Sequence, residues 1–126
     1  MVRAGQISAS SSPLASGTDA GEEPAVPEGS QRAAAHFVRA WLDRNPQTRK
    51  SALAAVSATA LIEELMLTDP ANIPRAKPRG APVLGDASAY SVQFSQTLST
   101  GMRINIYLVA DPEARYQWVA TSVEQV

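Results

Sequence analysis

Acid–base or nucleophilic chemistry would have to come from very few side chains. The chain has no cysteine and one histidine, His36. Thiol nucleophiles, disulfides, thiolate metal sites and any site built on two imidazoles are therefore excluded. His36 sits beside the apolar stripe of a first helix, next to Phe37. An imidazole there reads as a partly exposed surface group, with a pocket base as the sharper alternative. Glu63 and Glu64 are consecutive on a helical stretch, so their side chains diverge by about 100° and cannot form a close carboxylate pair. Asp69 precedes Pro70 and Asp86 follows Gly85, so both read as turn or helix-stop chemistry. One imidazole and scattered carboxylates give no ligand set at metal-binding spacing. No Gly-rich loop joins a strand to a helix to cradle a phosphate. Arg75, Lys77 and Arg79 form a basic stretch, read as a solvated linker or alternatively as an anion-contacting loop. It lacks the interleaved aromatics that base stacking requires. The expectation is a chain with no catalytic, cofactor-binding or metal-binding residues.

The elements that would hold these groups begin late. Among 126 residues, positions 1–30 contain no aromatic and are rich in Ser, Ala, Gly and Pro. Such a segment cannot bury enough apolar surface to offset its ordering entropy, so 1–30 reads as a disordered arm or linker. Residues 31–126 are enough for one core. The arm sets Arg3 against Asp19, Glu22, Glu23 and Glu28, a net of −3; the remainder holds ten basic and eight acidic side chains, a net of +2. That balance is too weak for a duplex-binding surface, and no nucleic acid is expected. No apolar run approaches the ~18–20 residues that cross a bilayer. The N-terminus shows no secretory signal, so the sequence as written reads as cytoplasmic; an anchor ahead of the arm would make the domain extracytoplasmic and membrane-tethered.

A helix is predicted near 31–44, because Ala34, Phe37, Val38, Trp41 and Leu42 recur at spacings of three and four. Ser30 is placed to cap it. Asn45-Pro46 ends that helix and opens the next, with Asn45 as cap and Pro46 in the first turn. The second helical stretch runs to about Leu67. Its weak centre, Ser57-Ala58-Thr59, predicts one bent helix or two short ones. Pro70, Pro74, Pro78 and Pro82 then make 69–82 an extended connector.

After Gly85 the apolar period becomes two. Strands are predicted from Tyr90, over Met102 to Val109, and from about Tyr116 to Val123. Helices followed by strands give an α+β fold, with two or three N-terminal helices on one face of a curved antiparallel sheet. A three-residue loop, Ser99-Thr100-Gly101, puts Gly101 at a left-handed bulge position. It sets Phe94 against Ile106, Val92 against Leu108 and Leu98 against Met102. For the last hairpin, a four-residue loop at 111–114 pairs Ile106 with Val119; a five-residue loop pairs Leu108 with Trp118. The first places Tyr107, Val109, Tyr116 and Trp118 together on the outer face, which makes them the candidate interface.

The pattern Ala34-Ala35-His36-Phe37-Val38-Arg39-Ala40-Trp41-Leu42, the Thr68-Asp69-Pro70 stop, the Pro-rich connector, the long hairpin and the Trp118-Val119 strand resemble the nuclear-transport-factor-2-like (cystatin-like) roll. More narrowly, they resemble small actinobacterial mobile-element and cell-envelope domains, similar to extracytoplasmic domains of conjugation scaffold proteins in type IV secretion. The resemblance implies a cone of helices wrapped by a curved sheet, commonly tethered by an N-terminal membrane helix. It implies a non-enzymatic scaffold, forming a homo-oligomer or joining another subunit. The alternative is a small-molecule-binding or enzymatic roll of isomerase or dehydratase type. Its pocket, at the cone mouth, would be lined by Phe37, Trp41, Leu65, Phe94 and Ile106.

Overall fold

A computed structural model describes residues 26–126. Most of the predicted arm, 1–25, lies outside the described residues. The fold is α+β, as expected, with three helices packed on a curved, unclosed antiparallel sheet. Helix α1 is Ser30–Trp41, α2 is Pro46–Val56 and α3 is Thr59–Met66; a short 3-10 turn covers Pro70–Asn72. The strands are β1 (Pro78–Ala87), β2 (Ser91–Leu98), β3 (Arg103–Ala110) and β4 (Trp118–Gln125), in the order β1-β2-β3-β4.

The apolar stripe of α1 buries Ala34, Phe37, Val38 and Trp41 as its spacing requires. Ser30 is not its cap. Gly29 holds that position in a left-handed conformation (φ 83°), and the Ser30 hydroxyl instead donates to the Pro27 carbonyl at 2.6 Å. Residues 26–30, counted above with the arm, thus begin the folded part. The Trp118 indole N–H fixes them by donating to the Glu28 carbonyl at 3.0 Å. Asn45 does cap α2, its side chain accepting from the Gln47 amide at 3.0 Å and the Thr48 amide at 3.4 Å. The weak centre at 57–58 is a true break. Ser57 and Ala58 are extended, Ser57 forms a parallel bridge with Ala120, and the Ala58 amide donates to the Ala120 carbonyl at 2.8 Å. A strand partner there outcompetes the next helical turn.

Arg49 is the charged residue buried among the described residues, 3% exposed. Its Nη1 donates to the Leu65 carbonyl at 2.6 Å and its Nη2 to the Trp41 carbonyl at 3.2 Å. Both carbonyls lie at helix C-termini, where the helix dipole is negative, so one guanidinium ties the ends of α1 and α3 together.

The sheet differs from expectation in two places. The predicted connector 69–82 ends early, because Pro78 to Pro82 belong to β1. Two prolines are tolerated because β1 is an edge strand and its pairing with β2 lapses between Arg79 and Val83. Asp86 likewise lies in β1, beside a second register shift, rather than in a turn. The β2–β3 hairpin has the predicted register: Phe94 faces Ile106, Val92 faces Leu108, and Gly101 is left-handed at φ 90°. The β3–β4 hairpin has neither predicted register. Its loop spans 111–117, closed by the Asp111 amide on the Gln117 carbonyl, with Gln117 at φ 67°. Ala110 faces Trp118 and Val109 faces Val119; after a shift past Tyr107, Ile106 faces Val123.

Candidate functional site

The five predicted pocket-lining residues do not enclose a pocket. Phe37, Phe94 and Ile106 have no exposed surface, and Trp41 and Leu65 are 7% exposed; all five belong to one core cluster. Burying side chains of this size contributes about 1.5–3 kcal/mol each, so filling the space between helices and sheet stabilises the fold. Trp41 and Leu65 also reach a cavity of about 210 Å³ shared with Arg49, Ile73 and Val123, which Phe37, Phe94 and Ile106 do not line.

The predicted interface is also divided. Tyr107 and Val109 lie on the outer face of β3, Tyr107 half-buried with its hydroxyl donating to Glu124 Oε1 at 3.4 Å, and Val109 exposed. Trp118 turns inward and is 6% exposed, because the longer loop shifts β4 and reverses its facing. Tyr116 lies in the loop, not in the strand. Val119, opposite Val109, completes a small apolar strip with Tyr107; Gln93, Ser95 and Asn105 are polar neighbours on that face, and Val83, opposite Ser95, is exposed.

A different surface gathers charge. The interrupted stretch of β1 and the exposed side of α1 enclose a cavity of about 580 Å³, within the range of ligand sites. Arg32, Ala35 and Arg39 line it from α1, and Gly80, Ala81 and Pro82 from β1. Gln31 Nε2 donates to the Pro82 carbonyl at 2.9 Å, joining the two walls. Beneath them lies Gln96, 1% exposed. Its Nε2 donates to the Thr97 carbonyl at 2.8 Å and to the Arg79 and Gly80 carbonyls at 3.3 Å each, while its Oε1 has no partner.

Beyond Arg32 the charge continues. Tyr116 stacks on His36, with ring centroids 4.8 Å apart, and its hydroxyl shares a 2.8 Å hydrogen bond with His36 Nε2. The Arg115 and Arg32 guanidinium groups lie 5.4 and 5.8 Å from the Tyr116 ring centre, within cation–π range. Burial, then the Arg39, Arg115 and Arg32 charges, lower the pKa of His36, which favours the neutral ring. The helix position of His36 was legible from the sequence. Its partner, 80 residues away, was not.

The remaining candidates are dispersed. Glu63 and Glu64 are exposed on α3. Asp69 caps the 3-10 turn, its side chain accepting from the Ala71 amide at 2.9 Å. Arg75, Lys77 and Arg79 are exposed, Arg79 donating to the Ser99 carbonyl at 3.2 Å. Among the described residues no cluster of three His, Cys, Asp or Glu side chains could hold a metal ion, and no helix is long and apolar enough to cross a membrane. Comparison with protein-family models, curated proteins and solved structures finds no match to this chain.

Proposed function

We propose that this chain is a non-enzymatic interaction domain that works through its surface as an accessory part of a larger assembly. One observation carries the reading: the interior where a roll enzyme would keep its reaction is filled by Phe37, Phe94 and Ile106. Among the described residues the buried ionisable group, Arg49, is committed to two carbonyls. General acid–base chemistry needs a titratable group in a dry cavity, and a guanidinium does not titrate near neutral pH. The helix and strand pattern supports a nuclear-transport-factor-2-like scaffold of conjugative transfer or envelope assembly as the setting.

Self-association would use the outer sheet face at Tyr107, Val109 and Val119. Sedimentation velocity of the full chain tests it. A concentration-dependent dimer, weakened in Val109→Ser/Val119→Ser, is expected. A chain that stays monomeric at millimolar concentration refutes it.

The rival reading, a small-molecule-binding roll, is favoured by the cavity of about 580 Å³. That cavity lies between α1 and β1 and has a charged wall, unlike the apolar pocket that the sequence resemblance implies.

A further inference from the structure

We infer that the groove between α1 and β1 receives an extended segment of a partner protein bearing two carboxylates three residues apart. This rests on the interaction-domain reading and names the partner's chemistry. Arg32 and Arg39 both line the groove from α1 and both are exposed. Seven residues separate them, which returns them to the same side of the helix about 10 Å apart along its axis. In the extended polyproline-II form a chain repeats every three residues and advances about 9 Å per repeat, so carboxylates at positions i and i+3 share one face and meet the two guanidinium groups. A helical segment would advance only about 4.5 Å over the same three residues and would leave one arginine unmatched.

The opposite wall suits an extended backbone. Gly80, Ala81 and Pro82 have no partner on β2, so this part of the edge strand stands outside the ladder. Ala35, Ala81 and Pro82 line the groove without a charge of their own, so the wall between the two arginines is uncharged. The buried Gln96 holds that wall in place through the Arg79 and Gly80 carbonyls. Glu28 belongs to the same lining, and its negative charge sits at the N-terminal end of the positive stretch. Arg115 extends it past Arg32 along Tyr116. Arginine suits the role because its planar fork takes a carboxylate in two parallel hydrogen bonds.

Fluorescence anisotropy with the full chain tests the proposal. The probe is a short labelled Ser/Gly peptide carrying two aspartates three residues apart. Saturable binding is expected, weakening as salt rises. Arg32→Gln/Arg39→Gln should weaken it on the order of tenfold, as expected when two exposed charge pairs are lost. Arg103→Gln, on β3 away from the groove, should leave it unchanged. Circular dichroism verifies that each variant is folded. Equal binding of the asparagine analogue, or of a peptide with adjacent aspartates, overturns the proposal. Displacement by succinate or inorganic phosphate at the peptide's own concentration also overturns it, in favour of a small-anion site. Loss of peptide binding leaves the sedimentation result untouched, so the two readings fail separately.

Discussion

Arg49→Met is the substitution that most directly asks what joins the helical layer. Methionine keeps an unbranched stem of similar length, so the apolar contacts of the side chain largely survive. The hydrogen bonds to Leu65 and Trp41, at 2.6 and 3.2 Å, do not. A hydrogen bond from a charged donor contributes about 1.5–3 kcal/mol, so the two give about 3–6 kcal/mol. Against that stands the cost of holding a cation out of water, several kcal/mol for a buried ion. The carbonyls do not fare alike. Leu65 keeps the Thr68 amide at 3.1 Å, so the Trp41 carbonyl bears most of the loss. The balance is a destabilisation of about 2 kcal/mol, or a fall in Tm on the order of 10 °C for a domain of this size. Urea unfolding followed by tryptophan fluorescence measures it, since Trp41 and Trp118 are both buried. Arg49→Lys should fall between, because one ammonium cannot fork to both carbonyls. If Arg49→Met matches or exceeds the native stability, the guanidinium is not what ties α1 to α3 and the desolvation cost dominates.

Gly29→Ala should cost about 2 kcal/mol or more in chemical unfolding, since φ is 83° and the added Cβ meets the Tyr116 carbonyl oxygen; Gly101→Ala, left-handed but facing open space, should cost about 1 kcal/mol. Trp118→Phe removes the bond to the Glu28 carbonyl and should destabilise by about 1 kcal/mol, with amide exchange at Gly29 and Ser30 rising first. Gln96→Leu should cost about 1–2 kcal/mol and speed exchange in β1 more than in β3, as the Arg79 and Gly80 carbonyls lose their donor. Because the folded His36 takes up its proton at lower pH than the unfolded chain does, stability should decline as pH falls through about 6.5. Thermal melts between pH 7.5 and 5.5 should show a shallower decline in His36→Gln.

Local chemistry made part of this fold legible. The spacing of Phe37, Val38 and Trp41 gives α1, Asn45-Pro46 gives the start of α2, and Gly101 with the alternating aliphatics gives the β2–β3 register. What escaped depends on contacts distant in sequence or on exceptions to residue preference. Pro78 and Pro82 read as connector because a proline argues against a strand, and only the interrupted edge pairing admits them. Asp111-Pro112 marks where the last loop opens, but Gln117, not a glycine, takes the left-handed position, so no signal marks where the seven residues end. That one shift moves Trp118 from the outer face to the core and separates it from Tyr107. The basic groove could not be read at all. Arg32 and Arg39 are ordinary helix-surface residues until β1 is laid opposite them.

The borders of the sheet set how copies of this protein can meet. On one border, Pro78 and Pro82 lack amide hydrogens and Gly80 to Pro82 fall out of step with their neighbour. On the other, Ser57 and Ala58 already occupy the backbone of Ala120. Each margin is interrupted, so neither offers its full length to a foreign strand. These breaks shorten the stretch on which a ribbon, the usual hazard of an open sheet, could grow. Under the proposed self-association, copies would meet by stacking broad surfaces rather than by lengthening the sheet, and such contacts stop at a defined number of copies more readily than edge-to-edge accretion does.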